Sequence, residues 1–65
     1  MTLNNRPYDA WHENLTVQGV IDHMHFSWNK LVVKINGTYI PPEDYDKATL
    51  AENDDLQILH LLAGG

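Results

Sequence analysis

The chain ends in Leu62-Ala63-Gly64-Gly65, and the carboxylate of Gly65 is the group in this sequence that is best placed to react. Its last three residues carry no side chain larger than a methyl group, so this tail can enter a narrow active-site channel and leave its carboxylate open to attack. Terminal glycines are also common in frayed ends that have no function. In this chain the glycines follow a predicted strand without a linker, so the strand would hold the tail in a fixed direction. We therefore predict that residues 62–65 form a flexible tail that a partner enzyme modifies at Gly65.

Two histidines suggest a metal pair, but the sequence does not complete the site. His23 and His25 lie two residues apart on a predicted helix, where their side chains point in different directions, and no third ligand is evident. The chain has no cysteine, which excludes a thiolate zinc site, a disulfide and a cysteine nucleophile. We expect no metal and no bound cofactor.

A further histidine, His60, supports a weaker hypothesis of a small enzyme. Asp55 or Glu52 could act with it, but no nucleophile, metal set or phosphate loop accompanies these residues. His60 shares a strand face with Leu56 and Ile58, so it is predicted to be a half-buried packing residue. The sequence therefore favours a protein that is not itself an enzyme.

Length and charge favour a carrier or binding module. A 65-residue chain buries only about 60% of the surface that it exposes when unfolded, which leaves little material for a catalytic pocket. Nine acidic residues against four basic ones give a formal net charge of −5. The four basic residues are scattered along the chain: Arg6, Lys30, Lys34 and Lys47. Nucleic acid is not an expected partner, because phosphate contacts need clustered Lys and Arg.

The acidic residues and the N-terminal sequence are those expected of a protein in aqueous solution. The cluster Glu43-Asp44-Asp46 could meet a basic face on a partner, or it could simply be a solvated loop that keeps a small domain soluble. The first residues lack the basic region and apolar run of a signal peptide, and no stretch reaches transmembrane length. We expect a soluble, cytoplasmic protein without a membrane partner.

The elements that must position the tail follow from the spacing of apolar residues. Residues 1–11 are predicted to form two short strands joined by a turn near Asn5-Arg6. Thr16 can cap the helix that follows. The apolar face of that helix, at three- and four-residue spacing, consists of Val17, Val20, Ile21 and Met24.

A hairpin is the strongest local prediction in the second half. Asn36-Gly37 stands between the β-rich runs 31–35 and 38–40, and both central positions of a type I′ turn need positive φ. Pro41-Pro42 ends the second strand, and a short helix is predicted to reach Tyr45. Trp11, Trp28 and Tyr45 are expected to be core or rim aromatics.

The last predicted strand runs from Asp55 to Leu62. Leu50 is predicted to be a core residue before it, and Asn53-Asp54 a turn in which Asn53 can take the left-handed conformation. The whole order is strand, strand, helix, strand, strand, short helix, strand. It predicts an α+β fold of the ubiquitin-like β-grasp type over residues 1–65, with a mixed sheet of four to five strands and one main helix on one face. The two outer strand segments are expected to be parallel neighbours in the sheet centre.

The last strand is apolar on both faces. Leu56 and Ile58 are predicted to lie under the helix, whereas Leu59 and Leu61 point the other way, where the chain supplies no second layer. We predict that Leu59 and Leu61, with Leu62 beside them, dock on a partner. The alternative is that the short helix or a second copy of the chain covers them.

These features resemble the ThiS family of ubiquitin-like sulfur carriers over nearly the whole chain. The resemblance rests on Val33-Lys34-Ile35-Asn36-Gly37-Thr38-Tyr39-Ile40-Pro41-Pro42, Leu50, Asn53-Asp54 and His60-Leu61-Leu62-Ala63-Gly64-Gly65. The related small subunit of molybdopterin synthase usually has prolines just before its terminal glycines, where this chain has Leu61-Leu62. The family turn before the last strand is commonly Gly-Asp, where this chain has Asn53-Asp54.

The resemblance implies a chemistry for the tail. ATP would activate the Gly65 carboxylate as an acyl-adenylate on an E1-like adenylating enzyme of the ThiF or MoeB type. A persulfide sulfur from a cysteine desulfurase or a rhodanese would then replace the adenylate and give a thiocarboxylate. Thiazole synthase of the ThiG type would receive this sulfur for thiamine. A MoaD-like carrier for a molybdopterin or tungsten cofactor, or a ubiquitin-like module that only binds, would look nearly the same.

Overall fold

The computed structural model describes residues 1–26 and 30–61. Its elements follow the predicted order: β1 (Thr2–Leu3), β2 (Arg6–Pro7), α1 (Val17–His23), β3 (Leu31–Ile35), β4 (Thr38–Ile40), a 3₁₀ helix (Pro42–Asp44) and β5 (Asp55–His60). Within these residues the strands form one five-stranded sheet in the order β2-β1-β5-β3-β4. β1 and β5 are parallel, and the other neighbouring pairs are antiparallel. The predicted α+β arrangement, with the outer segments parallel in the sheet centre, is confirmed.

The core lies between the helix and one face of the sheet. Val17, Val20 and Ile21 of α1 are buried, as the spacing predicted. The sheet contributes side chains that are also almost fully covered: Leu3, Leu31, Val33, Leu56 and Ile58. No helix within residues 1–26 and 30–61 has the length and apolar character needed to cross a bilayer.

The helix begins as predicted but ends before Met24. The Thr16 hydroxyl oxygen accepts a hydrogen bond from the Gly19 amide at 3.1 Å, which satisfies one free donor of the first turn. Met24 was predicted to lie on the apolar face, and this is wrong, because its side chain is 40% exposed. Met24 is the C-cap residue of α1, and the next residue, His25, has a left-handed backbone conformation with a φ of 56°. The chain turns away there, so Met24 does not continue the buried stripe.

The first turn lies one residue earlier than predicted. Asn4 and Asn5 form it, with φ values of 53° and 68°, which Asn tolerates better than most residues. The Asn4 side chain also continues the pairing of β1 with β5. Its Oδ1 accepts from the Ile58 amide at 2.8 Å, and its Nδ2 donates to the Ile58 carbonyl at 3.1 Å. Arg6 therefore belongs to β2 rather than to the turn.

The Asn36-Gly37 hairpin is confirmed, with φ values of 50° and 84° at its two central positions. Asn36 has a second role that its turn signal does not predict. Its Oδ1 accepts from the Asp55 amide at 2.9 Å, and its Nδ2 donates to a carboxylate oxygen of Asp54 at 3.0 Å. The hairpin thereby fixes the residue at which β5 begins.

The turn before β5 is closed by a carboxylate. One Asp54 carboxylate oxygen accepts from the Ala51 amide at 2.8 Å, and the Asp54 amide donates to the Ala51 carbonyl at 3.1 Å. Asn53 could have taken the left-handed conformation, but it is not among the described residues with positive φ. The turn needs no glycine, because none of residues 51–54 has a positive φ.

The aromatic and aliphatic core predictions are confirmed where the structure describes them. Tyr45 and Leu50 are buried. Trp11 is half-buried, and its indole Nε1 donates to the Leu50 carbonyl at 2.9 Å. Trp28 lies outside the described residues.

Candidate functional site

The strand that leads to the tail occupies the centre of the sheet. β5 is parallel to β1 on one side and antiparallel to β3 on the other. The ladder extends one residue beyond the end of β5, because the Leu61 amide donates to the Lys30 carbonyl at 2.9 Å. The predicted tail lies outside the described residues, and so do the two residues for which docking and modification were predicted, Leu62 and Gly65. On the β1 side the strand is held as far as Ile58, and on the β3 side the hydrogen bonds continue to Leu61, the residue before that tail.

The face of the sheet away from the helix carries exposed apolar side chains at the tail end. Ile58 is buried, whereas Leu59 is 48% exposed and Leu61 is 54% exposed. Leu59 pairs with Val32 of β3. Tyr39 of β4 is 56% exposed. Within the described chain the short helix does not cover Leu59 and Leu61, so that part of the alternative is wrong. Cover by a second copy and docking on a partner both stay predictions.

Residues of β3 and β4 also lie on this outer face, which the alternation along β5 does not predict. Lys34 pairs with Gln57 of β5 and with Tyr39 of β4, so their side chains share the face of Leu59. The signal was available in the hairpin, because its register fixes which residues of β4 stand beside those of β3. We call the surface formed by Val32, Lys34, Tyr39, Leu59 and Leu61 the outer face.

His60 lies on the opposite side of β5, next to the origin of the tail. It pairs with Leu31 of β3, and its ring meets that of Phe26 edge to face with the centroids 5.0 Å apart. It does pack against the core side, but its side chain is exposed rather than half-buried. Within the described residues the helix ends at His23, so it does not reach over His60, and the Phe26 ring contacts one side of the imidazole.

The predicted partners of His60 in an enzyme lie far from it. Asp55 is at the other end of β5, where one of its carboxylate oxygens accepts from the Thr2 hydroxyl at 2.7 Å. Five strand positions separate the Cα atoms of His60 and Asp55 by about 17 Å. Glu52 lies in the turn before Asp55 and is farther still along the chain. The structure therefore does not bring these three residues together.

The histidines of the helix end do not form a metal site in the described chain. His23 Nδ1 and the Tyr8 hydroxyl share a hydrogen bond of 2.8 Å, and their rings meet edge to face. His25 lies beyond the end of the helix. Among residues 1–26 and 30–61, no group of three His, Cys, Asp or Glu side chains is placed to hold a metal ion.

Two buried phenols are structural hydrogen-bonding groups rather than acid–base catalysts. Burial raises the pKa of Tyr8 above its ordinary value. Burial, and then the charge of neighbouring Tyr39, raise the pKa of Tyr45. Both phenols therefore stay protonated at neutral pH, and the Tyr45 hydroxyl donates to the Leu31 carbonyl at 3.4 Å.

The acidic cluster lies on the helix side of the molecule. The Gln18 amide of α1 donates to the Tyr45 carbonyl at 2.8 Å, and the Val17 amide donates to the Ala48 carbonyl at 3.0 Å. These bonds hold the segment after the 3₁₀ helix against the first turn of α1. Glu43 of the 3₁₀ helix and Asp46 of the segment after it are exposed. A solvated loop, one of the two interpretations of this cluster, fits this placement.

Comparisons with known proteins agree with the fold. A family model described as the ThiS family matches residues 1–65. The uncharacterized protein ycf40 of Porphyra purpurea is 22% identical over 63 residues, which cover 97% of this chain and 87% of that protein. The crystal structure of thiamine biosynthesis protein ThiS from Geobacter metallireducens matches with a TM-score of 0.78 at 24% sequence identity, covering 98% of this chain and 96% of that one. The structural similarity confirms the ubiquitin-like β-grasp fold.

Proposed function

The chain belongs to the ThiS family, and from that membership we propose that it is a sulfur carrier of thiamine biosynthesis that is loaded at Gly65. The observation that carries the proposal is the match to the family over residues 1–65. The central strand β5 supports it, because it is paired on both sides and leads directly into the tail. The role in the thiazole branch also draws on the similarity to the Geobacter thiamine biosynthesis protein.

The proposed chemistry begins with an unreactive group. A carboxylate is a poor electrophile, so one Gly65 carboxylate oxygen first attacks the α-phosphorus of ATP on an E1-like adenylating enzyme of the ThiF or MoeB type. Pyrophosphate leaves, and the carboxyl carbon becomes an acyl-adenylate. The terminal sulfur of a persulfide then attacks that carbon, and AMP leaves as a stable anion. A second thiol cleaves the remaining S–S bond, which gives the Gly65 thiocarboxylate and a disulfide.

All sulfur in this scheme comes from other proteins. The 65 residues include no cysteine, so the persulfide must belong to a partner such as a cysteine desulfurase or a rhodanese. Thiazole synthase of the ThiG type is the proposed acceptor. The chain contributes a rigid domain and a thin tail, and it is a substrate of each of these enzymes rather than a catalyst.

Docking on the adenylating enzyme is proposed to use Leu59 and Leu61, with Leu62 beside them. Burying exposed apolar side chains stabilises a complex by about 25 cal/mol per Å² of apolar surface. Both described leucines stand on the strand that continues into the tail. An adenylating enzyme that covers Leu59 and Leu61 would therefore bind the tail in one fixed orientation.

Pyrophosphate release tests this proposal. When the full chain is incubated with ATP and the ThiF-type enzyme, the rate of pyrophosphate release is expected to depend on the concentration of the chain. Leu59→Asp should lower kcat/KM by at least about tenfold, since a charged side chain would replace apolar contact area in the docked complex. The matched control is Met24→Asp, which makes the same kind of change at an exposed residue on the helix side. Release without any dependence on the carrier, or equal losses in both variants, would contradict the proposal.

A further inference from the structure

The outer face differs in charge from the chain as a whole. The formal net charge is −5, yet the strand pairing places a lysine in the middle of this apolar surface. Lys34 is exposed and stands directly beside Tyr39 on β4 and Gln57 on β5. Leu59 is the diagonal neighbour of Lys34 across β5, at a typical Cβ separation of about 7 Å. The Lys34 ammonium group therefore lies at the border of the apolar part of this face, beside Tyr39 and Leu59.

Among the described residues, Asp55 is an acidic residue that the register places on this face, where it is the other diagonal neighbour of Lys34 on β5. It pairs with Thr2 of β1, and its carboxylate accepts a hydrogen bond from the Thr2 hydroxyl. The cluster around the 3₁₀ helix is held beside α1, on the other side of the sheet. The acidic cluster at residues 43–46 therefore lies away from the surface that is proposed to dock, and the carboxylate beside Lys34 is already hydrogen-bonded to Thr2.

We infer that Lys34 is the charged contact of the outer face, and that the adenylating enzyme presents a carboxylate to it within an apolar surface that covers Leu59 and Tyr39. This inference rests on the proposed function and names the chemistry of its partner surface. Charge complementarity across an interface fixes orientation and suppresses wrong partners. Lys34 would thus set how the carrier is rotated on the enzyme, while the leucines beside it supply apolar area.

Two changes at Lys34 separate this contact from simple apolar docking. Lys34→Met keeps a long flexible side chain and removes only the charge. If the enzyme covered this face with apolar groups alone, methionine would bind as well as lysine or better. If a carboxylate faces Lys34, methionine leaves that carboxylate covered and unpaired. Lys34→Glu adds repulsion to the same loss.

Isothermal titration calorimetry of the full chain with the ThiF-type enzyme tests the inference. We expect Lys34→Met to raise Kd by about tenfold or more, and Lys34→Glu to raise it further. Lys47→Met and Lys47→Glu are the matched controls, because Lys47 is also exposed but follows the acidic helix-side segment. Both controls should stay within about twofold of the unchanged chain, as expected for a surface charge away from the contact. Thermal unfolding of every variant checks that the fold is kept.

The outcomes distinguish the inference from the function on which it rests. If the unchanged chain binds and stimulates pyrophosphate release while Lys34→Met binds equally well or more tightly, the Lys34 contact is overturned and the proposed function stands. Equal weakening by Lys34→Glu and Lys47→Glu would mean that only net charge matters, and it would also overturn the contact. If the unchanged chain neither binds nor stimulates release, the proposed function falls, and the contact falls with it.

Discussion

Deleting Gly65 is expected to reduce adenylation of the chain by at least about 100-fold, because the reacting carboxylate would be displaced along the tail. Each extended residue spans about 3.5 Å. Misplacement of a reacting group by only about 1 Å can cost two orders of magnitude in rate. β5 and the Leu61–Lys30 hydrogen bond fix where the tail starts. The domain could therefore compensate for a shorter tail only by moving closer to the active site, which would break its docking contacts.

Adding one alanine after Gly65 should have an effect as large as the deletion. The added residue places an amide where the carboxylate must be and moves the new carboxylate beyond the site. Ala63→Gly is the matched control, since it changes a tail side chain without changing tail length. Rates of pyrophosphate release and the unfolding midpoint of each variant are the measurements. A chain extended by one residue that is adenylated at the original rate would show that Gly65 need not be the last residue.

Leu56→Ala is expected to cost about 2–5 kcal/mol of unfolding free energy, the range for truncating a fully buried leucine. Leu56 is fully buried and lies in the centre of the sheet, paired with Leu3 of β1 and Ile35 of β3. A domain of this size has a total stability of about 3–10 kcal/mol. Much of the variant should therefore be unfolded at 37 °C, and its loading should fall because the strand that aims the tail is lost.

Leu59→Ala is the control for this prediction, because it makes the same change three residues along the same strand. Leu59 is 48% exposed, so we expect a loss of less than about 1 kcal/mol. Urea unfolding followed by circular dichroism compares the two variants. Equal losses of stability would contradict the assignment of the two faces of β5.

The fold was predictable because several local signals agree. Asn36-Gly37 marked the hairpin, Thr16 marked the helix start, and the two-faced pattern of β5 indicated a central strand. Met24 was misplaced because the helix ends before it, and two further roles were missed where side chains replace backbone pairing. Asn4 continues the β1–β5 ladder with its amide, and Asp54 closes the last turn with its carboxylate. Neither role is visible in the residue type alone, since Asn and Asp can bond locally in several ways.

The candidate site was predictable in part. Alternation along β5 predicted that Leu59 and Leu61 face away from the helix, and their exposure agrees. Lys34 and Tyr39 join them only through the register of β3 with β4 and β5, which combines residues that are distant in sequence. The contribution of Lys30 could not be predicted, because its carbonyl rather than its side chain holds Leu61. Gly65 remains a prediction from the sequence and the family.

The central claim is that the carboxylate of Gly65 carries the sulfur, and mass spectrometry of the loaded chain tests it most directly. The full chain is incubated with ATP, the ThiF-type adenylating enzyme and a persulfide-forming cysteine desulfurase, and then fragmented. We expect that one oxygen is replaced by one sulfur, that fragmentation places the change on Gly65, and that no change occurs without ATP. An unchanged mass in the presence of active enzymes, or sulfur located on any other residue, would contradict it.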